Sequence, residues 1–218
     1  MTSSTVTIRS ATLADIPFIV ETIVSAEKSN SPRMGLATLF AQSEERTREL
    51  IAAMLEEEVD GCEFSVSSFL IAEVAGSTAA ALAGWVEGQE EDMPSGLLKA
   101  NLIGFTFPAV SIAALREKGP IISGVQIERE KGALQIEYLH VDPMHRGKGL
   151  AAALINAHIG RSEVSKAQIQ AFADNAVAIR LYRKLGFEET RTYTSTHPDT
   201  LHYLPHHSKI LMERHIRP

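Results

Sequence analysis

One stretch in the last third of the chain has the residue types of an anion site: Val141-Asp-Pro-Met-His-Arg-Gly-Lys-Gly-Leu-Ala151. An extended apolar run ends at Val141 and a helical pattern opens at about Gly149, so the stretch is a strand-to-helix turn. Backbone N–H groups at such a junction lack intrahelical partners and sit at the positive end of the helix dipole. Gly147 and Gly149 carry no Cβ to hold a ligand off the backbone, and Arg146 and Lys148 add positive charge. A phosphate or pyrophosphate is the natural ligand. Two other phosphate loops do not fit the spacing. A Walker A loop would need Gly where Asp142 stands and Ser or Thr where Gly149 stands. A dinucleotide fingerprint would put its third small residue at Ala152, but such a turn belongs to a first βαβ unit and this one does not. The plainer alternative is a turn whose glycines serve geometry and whose basic residues serve solubility.

The elements that must position this turn read clearly on either side. A strand over 134–141 leads into it and a helix over about 149–160 leaves it. A second strand covers 169–173, and a helix runs from about Asn175 to Leu185, where Gly186-Phe187 predicts a Schellman-type stop. Strand, helix, strand makes a βαβ unit, so these two strands should be parallel. Strands over 189–195 and 209–216 close the chain around a polar loop. Upstream, a strand over 5–10 precedes a helix whose stripe is Ile16, Ile19, Val20, Ile23 and Val24, capped by Thr12 or Asp15 with Pro17 in its first turn. Ser31-Pro32 breaks the pattern. A helix over 43–58 follows, with Leu50, Ile51, Met54 and Leu55 on one face, and then a hairpin of 69–74 and 79–86 across Gly76-Ser77. Residues 88–132 interrupt with an acidic stretch and two short helices, near 97–103 and 108–117, the second ended by Gly119-Pro120.

With 218 residues, the chain suits a single domain, 1–218, carrying the insertion at about 88–132. A hydrophobic share of 44% against 22% charged residues sets disorder aside. The lone cysteine, Cys62, excludes an internal disulfide framework and fits a reducing compartment. The opening residues lack a basic-then-apolar leader, and the apolar run 69–86 is broken by Glu73 and Gly76. A cytoplasmic protein without membrane or nucleic-acid partners is expected, because a net charge of −6 argues against phosphate-backbone binding. That charge is compatible with a cationic acceptor. His197, His202, His206 and His207 match no zinc spacing and lie in a Pro-broken loop, so no metal is expected. The acidic run Glu87, Glu90, Glu91 and Asp92 reads as a solvated face or an attractor for a cation.

Arg146-Gly-Lys-Gly149-Leu-Ala151, preceded by Leu139-His-Val-Asp-Pro143, resembles the signature turn of the GNAT N-acetyltransferases. Asn175-Ala-Val-Ala-Ile-Arg-Leu-Tyr-Arg-Lys-Leu-Gly-Phe187 is similar to that family's second signature. Ile8-Arg9-Ser-Ala11 resembles its usual opening and Lys209-Ile-Leu-Met-Glu-Arg214 its closing strand. The strong resemblance covers about 134–187. It implies an α/β (α+β) fold: a mixed, splayed central sheet flanked by helices on both faces, here with an insertion between strands 3 and 4. It further implies acetyl-CoA as co-substrate, with pantetheine along the backbone of Leu139, His140 and Val141 and pyrophosphate on the N–H groups of Arg146, Gly147, Lys148, Gly149, Leu150 and Ala151. Asn175 would bond the pantetheine region and Tyr182 would point at the thioester sulfur. The acceptor implied is a primary amine of a small molecule, amino acid or peptide. The insertion would shape the acceptor pocket or supply a homodimer contact.

Acetylating an amine requires that it lose a proton, since a lysine-like amine with pKa about 10.4 is neutral in roughly one molecule in a few thousand at pH 7. Glu137 occupies a position that the resemblance assigns to a general base. A strand carboxylate could equally be a salt-bridge partner. His140 is the other candidate base, although regular strand parity would put it on the face opposite Glu137 unless a bulge intervenes. An ordered water is a third. Tyr182 shares a helix face with Ala178 and Ile179, so it is either packed core or the acid that serves the leaving thiol. A GNAT-like module that binds acyl-CoA without turning it over is the competing reading.

Overall fold

The computed structural model describes residues 5–216. Its first element, β1 (Val6–Ser10), runs into a capping box in which the N–H and hydroxyl of Thr12 both donate to the Asp15 carboxylate, at 2.8 and 3.0 Å. Arg9 clamps Asp15 with two bonds of 2.7 and 2.8 Å and reaches Glu73 at 2.7 Å, and it holds the Asp15 carboxyl down at about 2. From this cap α1 (Ile16–Lys28) starts, with Pro17 where no helical N–H is needed. Its predicted stripe of Ile16, Ile19, Val20, Ile23 and Val24 is buried throughout. Ser29, at φ 43°, ends the helix in the left-handed region. A one-turn helix, α2 (Gly35–Leu39), follows; it is too short to leave a readable period and is held by burial of Gly35, Ala37 and Leu39. Ser43 then caps α3 (Glu44–Glu56), its hydroxyl accepting from the Arg46 N–H at 3.1 Å.

The hairpin is formed by β2 (Phe69–Val74) and β3 (Ser77–Val86). Between β3 and the next strand lie α4 (Ser95–Thr106), α5 (Ala109–Glu117) and α6 (Gly119–Ile122). Gly119-Pro120 does separate the last two, but it opens α6 instead of ending helical structure, because Pro is well suited to a first helical turn. Leu102, Phe107, Ile121 and Val125 are buried in the same core as α1 and α3, so the insertion is packed and not looped out. The remaining elements are β4 (Leu134–Val141), α7 (Leu150–Arg161), β5 (Lys166–Phe172), α8 (Ala176–Lys184), β6 (Glu188–Thr194), α9 (Thr200–Tyr203) and β7 (Ser208–His215). The stop of α8 is a Schellman motif: Gly186 at φ 82° donates to the Arg183 carbonyl and Phe187 to the Tyr182 carbonyl, each at 3.0 Å.

The seven strands make one mixed sheet in the order β1-β2-β3-β4-β5-β7-β6, and β4–β5 is its parallel pair. One core lies between the sheet and α1, α2 and α3, the other between the sheet and α7 and α8. Gly84 on β3 is the point where α7 presses on the sheet. A Cβ there would stand 2.6 Å from His158 Nδ1, while His158 Nε2 faces the Leu82 carbonyl at 3.0 Å.

Burial lowers the His158 pKa to about 4, against an ordinary value of 6.5. A histidine whose folded pKa is depressed stabilises the fold above its unfolded pKa and withdraws that stability as pH falls through its folded one. Unfolding free energy should therefore drop by about 2 kcal/mol from this residue between pH 7.5 and pH 5. Urea titrations of wild type and His158→Gln at the two pH values test this. An identical pH loss in both proteins would clear His158 of the effect.

Candidate active site

Strand β4 carries a bulge that decides what faces where. Tyr138 sits at φ 54°, and the pairing with β3 shifts register between Ala81 and Ala83. As a result Leu139 and Val141 join Leu134 and Ile136 in the α7/α8 core, while Tyr138 packs into the α1 core and His140 meets the Phe18 ring edge-on at 5.9 Å. Glu137 and His140 thus share the α1 face, so simple strand parity does not separate them.

The same bulge ends the union of β4 with β5. Only Leu134, Gln135 and Ile136 pair with β5, opposite Ala167, Gln168 and Ile169. Beyond them β5 continues to Phe172 on β7 alone, and β4 runs to Val141 on β3 alone. A gap opens between the two strands, edged by the backbone of residues 137–141.

At the end of this gap is the glycine turn. Asp142 accepts from the Met144 N–H at 2.8 Å and starts a short 3-10 turn over 143–145. Gly147 and Gly149 stand at φ 76° and 80°, conformations that favour glycine, and no atom lies within 4 Å of where either Cβ would be. Gly149 caps α7, and the first helical bond runs from the Ala153 N–H to its carbonyl at 3.0 Å. Among the described residues no protein acceptor takes the N–H groups of residues 147–152. Six successive donors at a helix start, with Arg146 and Lys148 exposed beside them, make an anion cradle.

Opposite the turn, Asn175 caps α8, its Oδ1 accepting from the Ala178 N–H at 3.1 Å and its Nδ2 donating to Ser29 Oγ at 3.3 Å. Tyr182 is buried, its ring tilted against Phe187 at 6.3 Å. Its hydroxyl has no protein partner among the described residues, yet it is not one of the sealed, unpartnered atoms, which are Glu63 Oε2 and Thr106 Oγ1. The hydroxyl therefore keeps an accessible face. Burial pushes its pKa up, so it stays a neutral donor.

Residues 109–189 match the family model of the acetyltransferase (GNAT) domain. Of solved structures, an N-acetyltransferase from Staphylococcus aureus Mu50 superposes with TM-score 0.67 at 18% identity, covering 95% of this chain and 99% of that one. The ribosomal-protein-S18-alanine N-acetyltransferase from Escherichia coli gives 0.55 at 18%, over 98% and 96%. A putative acetyltransferase from Salmonella typhimurium, solved with acetyl-CoA, gives 0.52 at 15%, over 97% and 94%. No curated protein matches by sequence. Over 109–189 the chain is thus similar to the GNAT acetyltransferase domain. Its mixed, splayed sheet with helices on both faces is the fold of these N-acetyltransferase structures.

On the α1 side of the gap lies a charged cluster that sequence reasoning resolved only in part. Glu137 is gripped by Arg129, whose Nε and Nη2 reach the same oxygen, Oε1, at 3.0 and 2.7 Å. Arg129 also reaches Ser95 Oγ at 3.0 Å and Glu63 at 2.9 Å, and Lys99 reaches Glu63 at 2.6 Å. Burial works to raise the Glu63 pKa, but Lys99 and Arg129 outweigh it and keep the carboxylate ionised. Glu27, which the sequence reading passed over, is different. Among the described residues its one hydrogen bond comes from the Tyr138 hydroxyl at 3.3 Å, and burial raises its pKa against the pull of Lys209, Lys99 and that bond. A signal was present: Glu27 continues the buried stripe of α1, one helical turn beyond Ile23 and Val24. His140 is a weaker candidate base, since burial lowers its pKa.

The polar loop is tied to the end of α1, to α2 and to Asp174. His206 Nδ1 meets Asp174 at 2.8 Å and its Nε2 meets the Ser29 carbonyl at 3.1 Å, while Thr38 and Arg33 donate to the carbonyls of Tyr203 and His202. No group of three or more metal-ligating side chains converges among the described residues. Within the acidic run, Glu87 is neither solvated nor steering: it is buried and accepts from Trp85, Ser95 N–H and Ser95 Oγ at 3.2, 2.9 and 2.6 Å.

Proposed function

We propose that this chain transfers an acetyl group from acetyl-CoA to a primary amine by direct attack in a ternary complex. The observation that carries the reading is the run of unpartnered N–H groups at 147–152, opening directly onto the gap between β4 and β5. The cradle suits a pyrophosphate, and the free edge of residues 137–141 suits an extended pantetheine pairing as a strand would. Leu139, His140 and Val141 would offer that edge, Gly147, Lys148, Gly149, Leu150 and Ala151 the N–H cradle, and Asn175 a polar contact at the gap's mouth. Arg146 would add only its side-chain charge, because its N–H donates to the Pro143 carbonyl at 3.4 Å. No metal enters the proposed reaction.

In the transfer, the ammonium first gives one proton to a base, and the free amine nitrogen then bonds to the acetyl carbon. The carbon–sulfur bond breaks, and the second proton that the nitrogen sheds balances the one the departing sulfur receives. We assign the base to Glu27 in preference to Glu137. A base needs a free lone pair for the proton: Glu137 Oε1 already accepts two bonds from Arg129, whereas Glu27 is desolvated without a cation in contact. Tyr182 serves the sulfur. A binding module without turnover would need neither group, which favours catalysis.

Structures of similar fold include an agmatine N-acetyltransferase and a ribosomal-protein-S18-alanine N-acetyltransferase, so the neighbours leave the acceptor open. Arg129, Lys99 and Ser95 tie the insertion to the acceptor-side carboxylates, which supports a role for 88–132 in acceptor access. A cytoplasmic setting is part of the proposal and fits a single, buried thiol.

Coenzyme A and acetyl-CoA should each raise the melting temperature in metal-free buffer, by linkage to the folded state. Thermal shifts with ATP and NAD serve as controls. A shift with either nucleotide and none with coenzyme A would sink the reading.

A further inference from the structure

Two half-buried charges face the acceptor side of the gap without an ion-pair partner among the described residues. One is Glu27 on the last turn of α1, with only the Tyr138 hydroxyl at 3.3 Å. The other is Lys209, on β7 opposite Phe172 of β5, whose Nζ lies 5.1 Å over the Phe172 ring and 3.4 Å from Gln170 Oε1. Burial depresses the proton affinity of Lys209 and raises that of Glu27, and each charge partly offsets the effect on the other without contact. The other charges nearby are committed: Lys99 and Arg129 to Glu63, and Arg129 to Glu137. His206 is also spoken for, by Asp174 and the Ser29 carbonyl.

A desolvated cation and a desolvated anion on one wall, each short of a counter-ion, suit a ligand that brings both signs. We propose that the acceptor is a free amino acid, its ammonium at Glu27 and its carboxylate at Lys209. A polyamine would place a second positive charge beside Lys209. A peptide N-terminus would offer a neutral amide there and leave the Lys209 charge uncompensated, which is costly in a desolvated site. This identification rests on the acetyltransferase reading for the reaction, but not for the binding.

The test is calorimetric titration of the full chain, loaded with coenzyme A, with the protein amino acids and the α-carboxamide of each. At least one amino acid should bind roughly tenfold or more tightly than its carboxamide, the loss typical of a hydrogen bond to a charged group. Lys209→Met should bring that ratio to about one without altering carboxamide binding, and Lys209→Arg should restore part of it. Retained coenzyme A stabilisation certifies that the variants fold. Carboxamides binding as well as the acids, no acid binding at all, or Lys209→Met weakening both alike would each overturn the inference. Thiol release from acetyl-CoA separates the two readings. Lys209-dependent binding without thiol release would end the catalytic proposal and leave this one standing. Thiol release with amines but no carboxylate preference would do the reverse.

Discussion

Glu27→Gln should lower kcat/KM for acetyl transfer by about two to four orders of magnitude, the range of a lost general base. Gln fills the same space and can still accept from Tyr138, so the loss would report proton affinity rather than packing. The pH profile carries the sharper evidence. A base whose pKa is raised becomes protonated, and so idle, at a higher pH than an ordinary carboxylate would. The acid limb of wild-type kcat/KM should accordingly sit above the usual carboxylate range, and the variant should lack that limb and recover as pH brings free amine into solution. Glu137→Gln should behave otherwise. It takes from Arg129 one of its two carboxylates in a buried cluster, so its melting temperature should fall while the shape of its pH profile is kept. Steady-state rates from pH 5.5 to 10 on both variants decide the matter. If Glu27→Gln retains the wild-type acid limb, the base is Glu137, His140 or a water.

Tyr182→Phe should reduce kcat by about a hundredfold or more while leaving coenzyme A binding almost unchanged. The ring is fixed by burial and by Phe187, so removing one oxygen should not move the helix. At ordinary values, a tyrosine near 10 giving its proton to a thiolate near 8.5 is uphill by about 2 kcal/mol. Burial raises the tyrosine further, but the same dry gap raises the thiol too, so the mismatch need not widen. A rate in which chemistry limits turnover, shown by insensitivity to viscosity, is required for the comparison. Wild-type kcat in Tyr182→Phe under that condition would take tyrosine out of the mechanism.

What the sequence revealed was whatever a local pattern could encode. The α1 stripe, the start of α3 near Ser43, the glycine turn and the Gly186-Phe187 stop depend on residues within a turn or two of each other, and they stand where the spacing put them. The insertion between β3 and β4 was visible as a break in rhythm, but its burial against α1 and α3 was not, since long-range packing leaves no period. The β4 bulge was likewise hidden: Tyr138 adopts a left-handed φ because the strand must bend, not because tyrosine prefers it. That bulge then decided the site. It brought Glu137 and His140 to one face and placed Tyr138 against Glu27, a carboxylate 111 positions away in the chain. A salt bridge was open to Glu137 in the sequence, but spacing could not name its partner: Arg129 lies outside the strand, and the Glu63 that shares its guanidinium comes from a distant segment.

The short seam between β4 and β5 has a mechanical meaning. Three residue pairs join strands β1–β4 to strands β5–β7, and beyond Ile136 the seam is unlaced. The sheet is thus two leaves on a hinge, and the width of the cleft is an angle rather than a fixed dimension. The pin of that hinge is polar on the α1 face: Gln135 donates to Gln168 at 2.7 Å, and Gln168 donates onward to Glu213 at 2.7 Å. Residues that never approach the reacting atoms therefore set how far the leaves part, and how closely any strand-like guest is gripped between them.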